Sequence, residues 1–213
     1  MTNSIKSKLL LQEVGQFVDV CYGVLFNPVD TFQKQTEEYN KANSVNEFNK
    51  PMGLLSATLI VAFISLMAPL TNDALTQEAN YAWLPLTLPV SAIMGIVSWV
   101  TMAAIIAALA FIFQRSSNIK SLLVCTALAT LPWLFLGPLS LLKFSIFPAG
   151  QILFTFGLLG VWLWSVCLFC LAVTKAYQLP LLNGILLLFM PFAFTGIFFA
   201  WFSGFIQNMI YLF

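Results

Sequence analysis

The nearest approach to a reactive pattern in this chain is two cysteines at Cys167 and Cys170 and two carboxylates at Asp73 and Glu78. In a soluble protein, a CxxC pair suggests metal or redox chemistry, because its sulfurs share one turn. Here the pair lies in an uncharged apolar run, with no second CxxC and no histidine to complete a zinc site. The thiols therefore read as small packing residues, as do Cys21 and Cys125. Paired carboxylates exchange protons or hold a cation. Asp73 and Glu78 flank only Ala-Leu-Thr-Gln between two apolar runs, where they keep a translocated loop soluble and free of positive charge.

The chain has no histidine, which removes His-dependent triads, HExxH zinc sites and histidine proton shuttles. All eight acidic residues precede residue 79. Proton relays, ion sites and gating charges require titratable groups at depth, and no such group falls within the apolar runs. The reading is a non-enzymatic protein with no catalytic residue, no cofactor and no metal.

The elements that carry these residues are set by composition. Hydrophobic residues make up 60% of the 213 positions and charged residues 8%, so the chain cannot cover itself with polar surface. Lipid must satisfy it. A formal charge of +1 offers nothing to nucleic acid. The expected fold is all-α: a polytopic bundle of about five transmembrane helices preceded by cytoplasmic amphipathic helices. Lys6 and Lys8 precede only three leucines before Gln12 and Glu13, too short an apolar region for a signal peptide, so the N-terminus is expected to be retained.

Residues 1–50 read as two short helices and a linker. They meet at Asn27-Pro28, where Asn can cap and Pro can take the first helical position. Phe17, Cys21, Val24 and Leu25 make one stripe, and Val29, Phe32, Thr36 and Tyr39 a weaker one. Either stripe suits the membrane surface or a dock on the bundle. Residues 41–50 are polar and read as the linker.

The membrane bundle takes residues 51–213, with spans at about 52–70, 91–113, 121–142, 150–174 and 180–202 and an interfacial tail at 203–213. Pro85 and Pro89 are assigned to the approach to the second span, with Tyr81 and Trp83 at the interface. Pro132 and Gly137-Pro138 should kink or break the third span, and Pro191 the fifth. Counting lysines and arginines for an N-inside topology places eight inside (Lys6, Lys8, Lys34, Lys41, Lys50, Arg115, Lys120, Lys175) and only Lys143 outside. This predicts an inner N-terminus and an outer C-terminus.

At depth the polar residues are few and neutral: Ser65, Ser98, Thr101, Thr126, Thr130, Thr155, Ser165, Asn183 and Thr195. A solute pathway built from them would suit a neutral or apolar cargo. Gly157, Gly160, Trp164, Cys167 and Leu171 recur at helical spacing, as do Ala103, Ala107 and Ala110. Such stripes let helices approach within the bundle, or between copies in a homo-oligomer.

The order of features resembles the Yip family, Rab-GTPase-interacting, Golgi-type five-span membrane proteins with related multi-pass proteins in prokaryotes. The resemblance rests on NPVDTFQK (Asn27 to Lys34), ALATLPWLFLGPL (Ala127 to Leu139), Trp162-Leu-Trp164 and the later Pro191, and covers about residues 17 to 202. The long acidic or Pro-rich arm of many eukaryotic members is lacking, which favours a prokaryotic-type member in an inner or plasma membrane over one in the Golgi or ER. The resemblance implies a protein that recruits partners or influences membrane traffic and shape. Its partners would be membrane lipids and a protein bound to the N-terminal segment. The alternative is a small transporter or channel component for a neutral or apolar solute. The residues singled out for structural or interaction roles are Phe17, Leu25, Pro28, Phe32, Pro132, Trp133, Pro138, Gly157, Gly160 and Pro191.

Overall fold

A computed structural model of the chain describes residues 2–41, 52–72, 84–112, 119–145, 149–191 and 193. These residues are helical throughout apart from short turns. The linker at 42–50, the loop with Asp73 and Glu78, Tyr81, Trp83, Arg115, most of the fifth span beyond Pro191 and the tail at 203–213 lie outside them.

Helix α1 (Thr2–Phe26) gives way to α2 (Pro28–Lys41) at Asn27. Backbone bonding carries through the junction, with Asn27 N donating to the Gly23 carbonyl at 2.7 Å and Thr31 N to the Asn27 carbonyl at 3.2 Å. Pro28 costs nothing there, because a first-turn N–H has no helical partner. The Asn27 side chain, expected to accept a bond as a cap, instead donates from its amide to Asp30 Oδ2 at 2.7 Å.

The apolar runs follow: α3 (Leu54–Asn72), α4 (Leu84–Ile112), α5 (Ile119–Leu128), a 3-10 turn (Leu131–Phe135), α6 (Leu136–Ser145), α7 (Ala149–Ala176) and α8 (Leu181–Pro191). In lipid every backbone polar group needs an internal partner, which is why uncharged runs become helices. Three stretches are long and apolar enough to cross a membrane: Pro85–Ile112, Ile119–Lys143 and Ala149–Ala176. Leu54–Met67 and Leu181–Pro191 are apolar but shorter over the described residues. The protein is an all-α integral membrane protein.

Helix α4 begins earlier than the expected span and includes Pro89. Pro89 sits in the second turn, so its missing N–H forfeits a single bond near the helix start, and Ser91 Oγ donates back to the Leu88 carbonyl at 2.8 Å. At about 1.5 Å per residue its 29 residues extend about 43 Å, so it must tilt or emerge from a hydrocarbon layer of about 30 Å.

The stretch Ile119–Lys143, expected as the third span, is broken, as Pro132 predicts. The helix stops at Leu128, passes through a turn and the 3-10 segment, and resumes at Leu136. Pro138 falls in the first turn of α6, where it does no damage. Helices α7 and α8 form a hairpin closed by Gln178 at φ 50°, with Gln178 N bonded to the Lys175 carbonyl at 3.3 Å and Leu179 N to that of Thr174 at 2.9 Å. This is a Schellman closure with Gln at the position Gly usually occupies.

The core has two parts. One gathers Phe32, Val61, Trp99, Leu128, Leu131 and Leu168 around the broken span. The other packs Ala103, Ile106 and Ala110 of α4 against Leu122, Val173 and Leu187. The alanine stripe of the second span is thus used inside the bundle. Gly157 is also used internally, since a Cβ there would lie 2.5 Å from Leu139 Cδ2, whereas Gly160 faces open space.

Candidate functional site

Most of the candidate residues fall in two places. The first is the platform formed by α1 and α2. Helix α2 is mostly polar, yet Phe32 is fully buried and Gln35 and Thr36 nearly so. Its buried face works by hydrogen bonds. Gln35 Oε1 accepts from Met52 N at 3.0 Å, Tyr39 O–H donates to the Met52 carbonyl, and Ser121 Oγ donates to Thr36 Oγ1 at 3.3 Å. Thr36 Oγ1 also lies 3.8 Å from Cys125 Sγ, and Lys175 Nζ donates to Gln33 Oε1 at 3.2 Å. These bonds fasten α2 to the starts of α3 and α5 and the end of α7. Burial raises the Tyr39 hydroxyl pKa, with the Cys125 sulfur adding to the rise. Its phenol therefore stays protonated and available to donate.

Helix α1 has three faces. Val20, Cys21 and Leu25 pack half-buried against the bundle beside the fully buried Val24. Gln16, Asp19 and Gly23 make a narrow second face; a Cβ on Gly23 would lie 2.6 Å from Thr31 Oγ1, so the missing side chain at that one position admits α2. Val14, Val18, Tyr22 and Phe26, spaced by four, form a third face and are 55–71% exposed. The stripe expected from sequence is thus mostly a docking face, with Phe17 at its exposed edge. Helix α1 also touches the 3-10 turn, which lies at the middle of the apolar stretch Ile119–Lys143.

The second place is an intramembrane cavity of about 290 Å³ beside the broken span. Ser65 from α3, Ser98 and Trp99 from α4, Thr126 and Thr130 from the third span, and Trp133 from the 3-10 turn line it with apolar neighbours such as Met102 and Phe169. Gly95 sets its width, since a Cβ there would lie 1.8 Å from Ser65 Oγ. The indoles are oriented by hydroxyls: Trp99 Nε1 donates to Thr126 Oγ1 and Trp133 Nε1 to Ser165 Oγ, each at 3.0 Å. Among the described residues, none that lines it is ionisable.

Pro132 and Trp133 meet at this break, while Phe32 and Leu25 belong to the platform. Gly157 and Gly160 lie apart on α7, and Pro191 lies in α8. Sequence reasoning singled out Ser65, Ser98, Thr126 and Thr130 only as scattered polar residues, and it missed Trp99 and Gln35. A polar Gln within the stripe of α2 was the available signal for the latter. Cys167 is exposed and Cys170 buried, so the CxxC thiols point to different surroundings.

Among known families, the model described as Yip1 domain matches residues 22–202, most of the chain. No curated protein and no solved structure matches it.

Proposed function

Because the chain belongs to the Yip1 domain family, we propose that it is a non-enzymatic, five-span membrane protein that shapes its membrane or recruits partners through its N-terminal platform. In this reading residues 1–50 lie on the cytoplasmic side and residues 51–213 form the bundle and an interfacial tail, with the C-terminus outside. The membrane is a prokaryotic inner or plasma membrane, or alternatively that of the Golgi or ER.

The observation that supports it is that α1 docks on the bundle through Val20, Cys21, Val24 and Leu25 while Val14, Val18, Tyr22 and Phe26 stay exposed. A helix apolar on two faces, with one of them docked on a membrane bundle, has lipid as the natural neighbour of its outer face. Apolar area inserted into one leaflet couples to curvature. The polar face of α2 away from the bundle, including Lys34 and Glu37, leaves a surface for a protein partner. Vesicles containing the full chain are expected to tubulate or narrow relative to those containing the Val18→Asp, Tyr22→Asp variant, whose docking face is unaltered. If a chain lacking residues 1–45 shapes vesicles as the full chain does, the reading fails.

A second reading, a transporter or channel component for a neutral or apolar solute, is favoured by the uncharged cavity at the broken span. Solute-dependent thermal stabilisation in detergent would support it.

A further inference from the structure

Of the six polar groups that line the cavity beside the 3-10 turn, all but the exposed Ser98 hydroxyl have their protons already committed. Ser65 Oγ donates to the Val61 carbonyl at 2.7 Å, and Thr130 Oγ1 to that of Ala127 at 2.6 Å. Thr126 Oγ1 points its proton at the Leu122 and Leu123 carbonyls, 2.8 and 3.0 Å away. Both indole N–H groups are already engaged. What faces the cavity from these groups is therefore hydroxyl lone pairs, which call for a donor.

Charge and access narrow the occupant. Among the described residues no ionisable side chain lines the cavity, so a phosphate, carboxylate or ammonium would enter without a counter-ion there. Ser98, at the midpoint of α4, is exposed beside the exposed apolar residues Met94 and Val97, so the opening faces the lipid side of an apolar helix. A volume of about 290 Å³ is at the low end of the roughly 300–1,000 Å³ of small-molecule sites, enough for one end of a lipid but not for all of it.

We propose that the cavity lined by Ser65, Ser98, Thr130 and Trp133 binds the hydroxyl end of an uncharged membrane lipid, entering sideways from the bilayer. The hydroxyl donates to the lone pairs of Ser65 or Thr130, and the adjoining hydrocarbon packs on Met102 and Phe169. This assignment is independent of whether α1 shapes the membrane.

The full chain in phosphatidylcholine vesicles is treated with a diazirine-bearing long-chain primary alcohol, and labelled residues are mapped by mass spectrometry. Parallel samples receive the alkane and the fatty acid of the same chain length. The alcohol is expected to label α3, α4 or residues 129–135 saturably and to be displaced by unlabelled alcohol but not by the fatty acid. Ser98→Leu, an apolar change at an exposed position, should fill the opening and lower this labelling at least tenfold. Thr130→Val, which keeps the side-chain shape, should weaken displacement severalfold. Equal labelling by the alkane would mean that lipid tails merely fill the space, and no saturable labelling by any probe would mean water or an empty site. Either result overturns the proposal.

Discussion

Trp133 and Ser165 join the broken Ile119–Lys143 stretch to the middle of α7: the indole Nε1 donates to Ser165 Oγ at 3.0 Å, and that hydroxyl donates in turn to the Ala129 carbonyl at 3.1 Å. Ala129 is in the turn where the Pro132 break leaves helical bonding incomplete. Ser165 therefore supplies from a neighbouring helix what the broken span cannot supply itself.

Ser165→Ala should leave both the indole N–H and the Ala129 carbonyl without this partner and cost about 1–3 kcal/mol. Trp133→Phe removes one of the two bonds. A double-mutant cycle on detergent-solubilised protein, read from thermal midpoints, is expected to give a coupling of about 1 kcal/mol between the two positions. Simple additivity would show that the bond holds nothing together.

Phe32→Ala should loosen the platform before the bundle. Phe32 is fully buried, and such truncations cost about 3–5 kcal/mol, whereas Val29 on the same helix is 41% exposed and Val29→Ala should be nearly neutral. Limited proteolysis in vesicles is expected to cut the Phe32→Ala protein within residues 1–41 much faster than the native chain, with the bundle fragment persisting. Equal cutting of the two would show that α2 is not seated through Phe32.

Burial raises the Cys21 thiol from its ordinary value of 9.0 to about 11. The thiolate is the reactive form, so at pH 8 maleimide labelling of Cys21 should run about a hundredfold slower than that of a free thiol, and should accelerate as pH approaches 11. The sign for stability follows: the folded state holds this proton more tightly, so the contribution is complete below pH 9.0 and is lost as pH rises through about 11. Labelling of the Cys21 peptide at the free-thiol rate at pH 8 would mean that α1 is not docked on that face.

Much of the secondary structure was legible along the chain. Uncharged runs had to be helical, since lipid offers no partner to backbone groups. Pro132 marked the break because it removes an N–H and crowds the preceding turn, and Asn27-Pro28 marked the junction of α1 and α2 because proline suits the first position of a helix. Pro89 misled, because a proline so near a helix start costs only one bond. The stripe of Phe17, Cys21, Val24 and Leu25 was visible too, but α1 carries a second apolar face at Val14, Val18, Tyr22 and Phe26, and periodicity does not rank two apolar faces.

The sequence by itself determined the membrane class, the helical runs and the want of ionisable groups at depth, because these follow from composition and local backbone chemistry. Only the tertiary structure decided which face of α1 meets the bundle, how Gln35 and Thr36 become the seat of a polar helix, and that Ser65, Ser98, Thr126 and Thr130 share one cavity. Those residues lie up to 65 positions apart on three separate runs, and only helix packing, with Gly95 against Ser65, brings their hydroxyls to a common space.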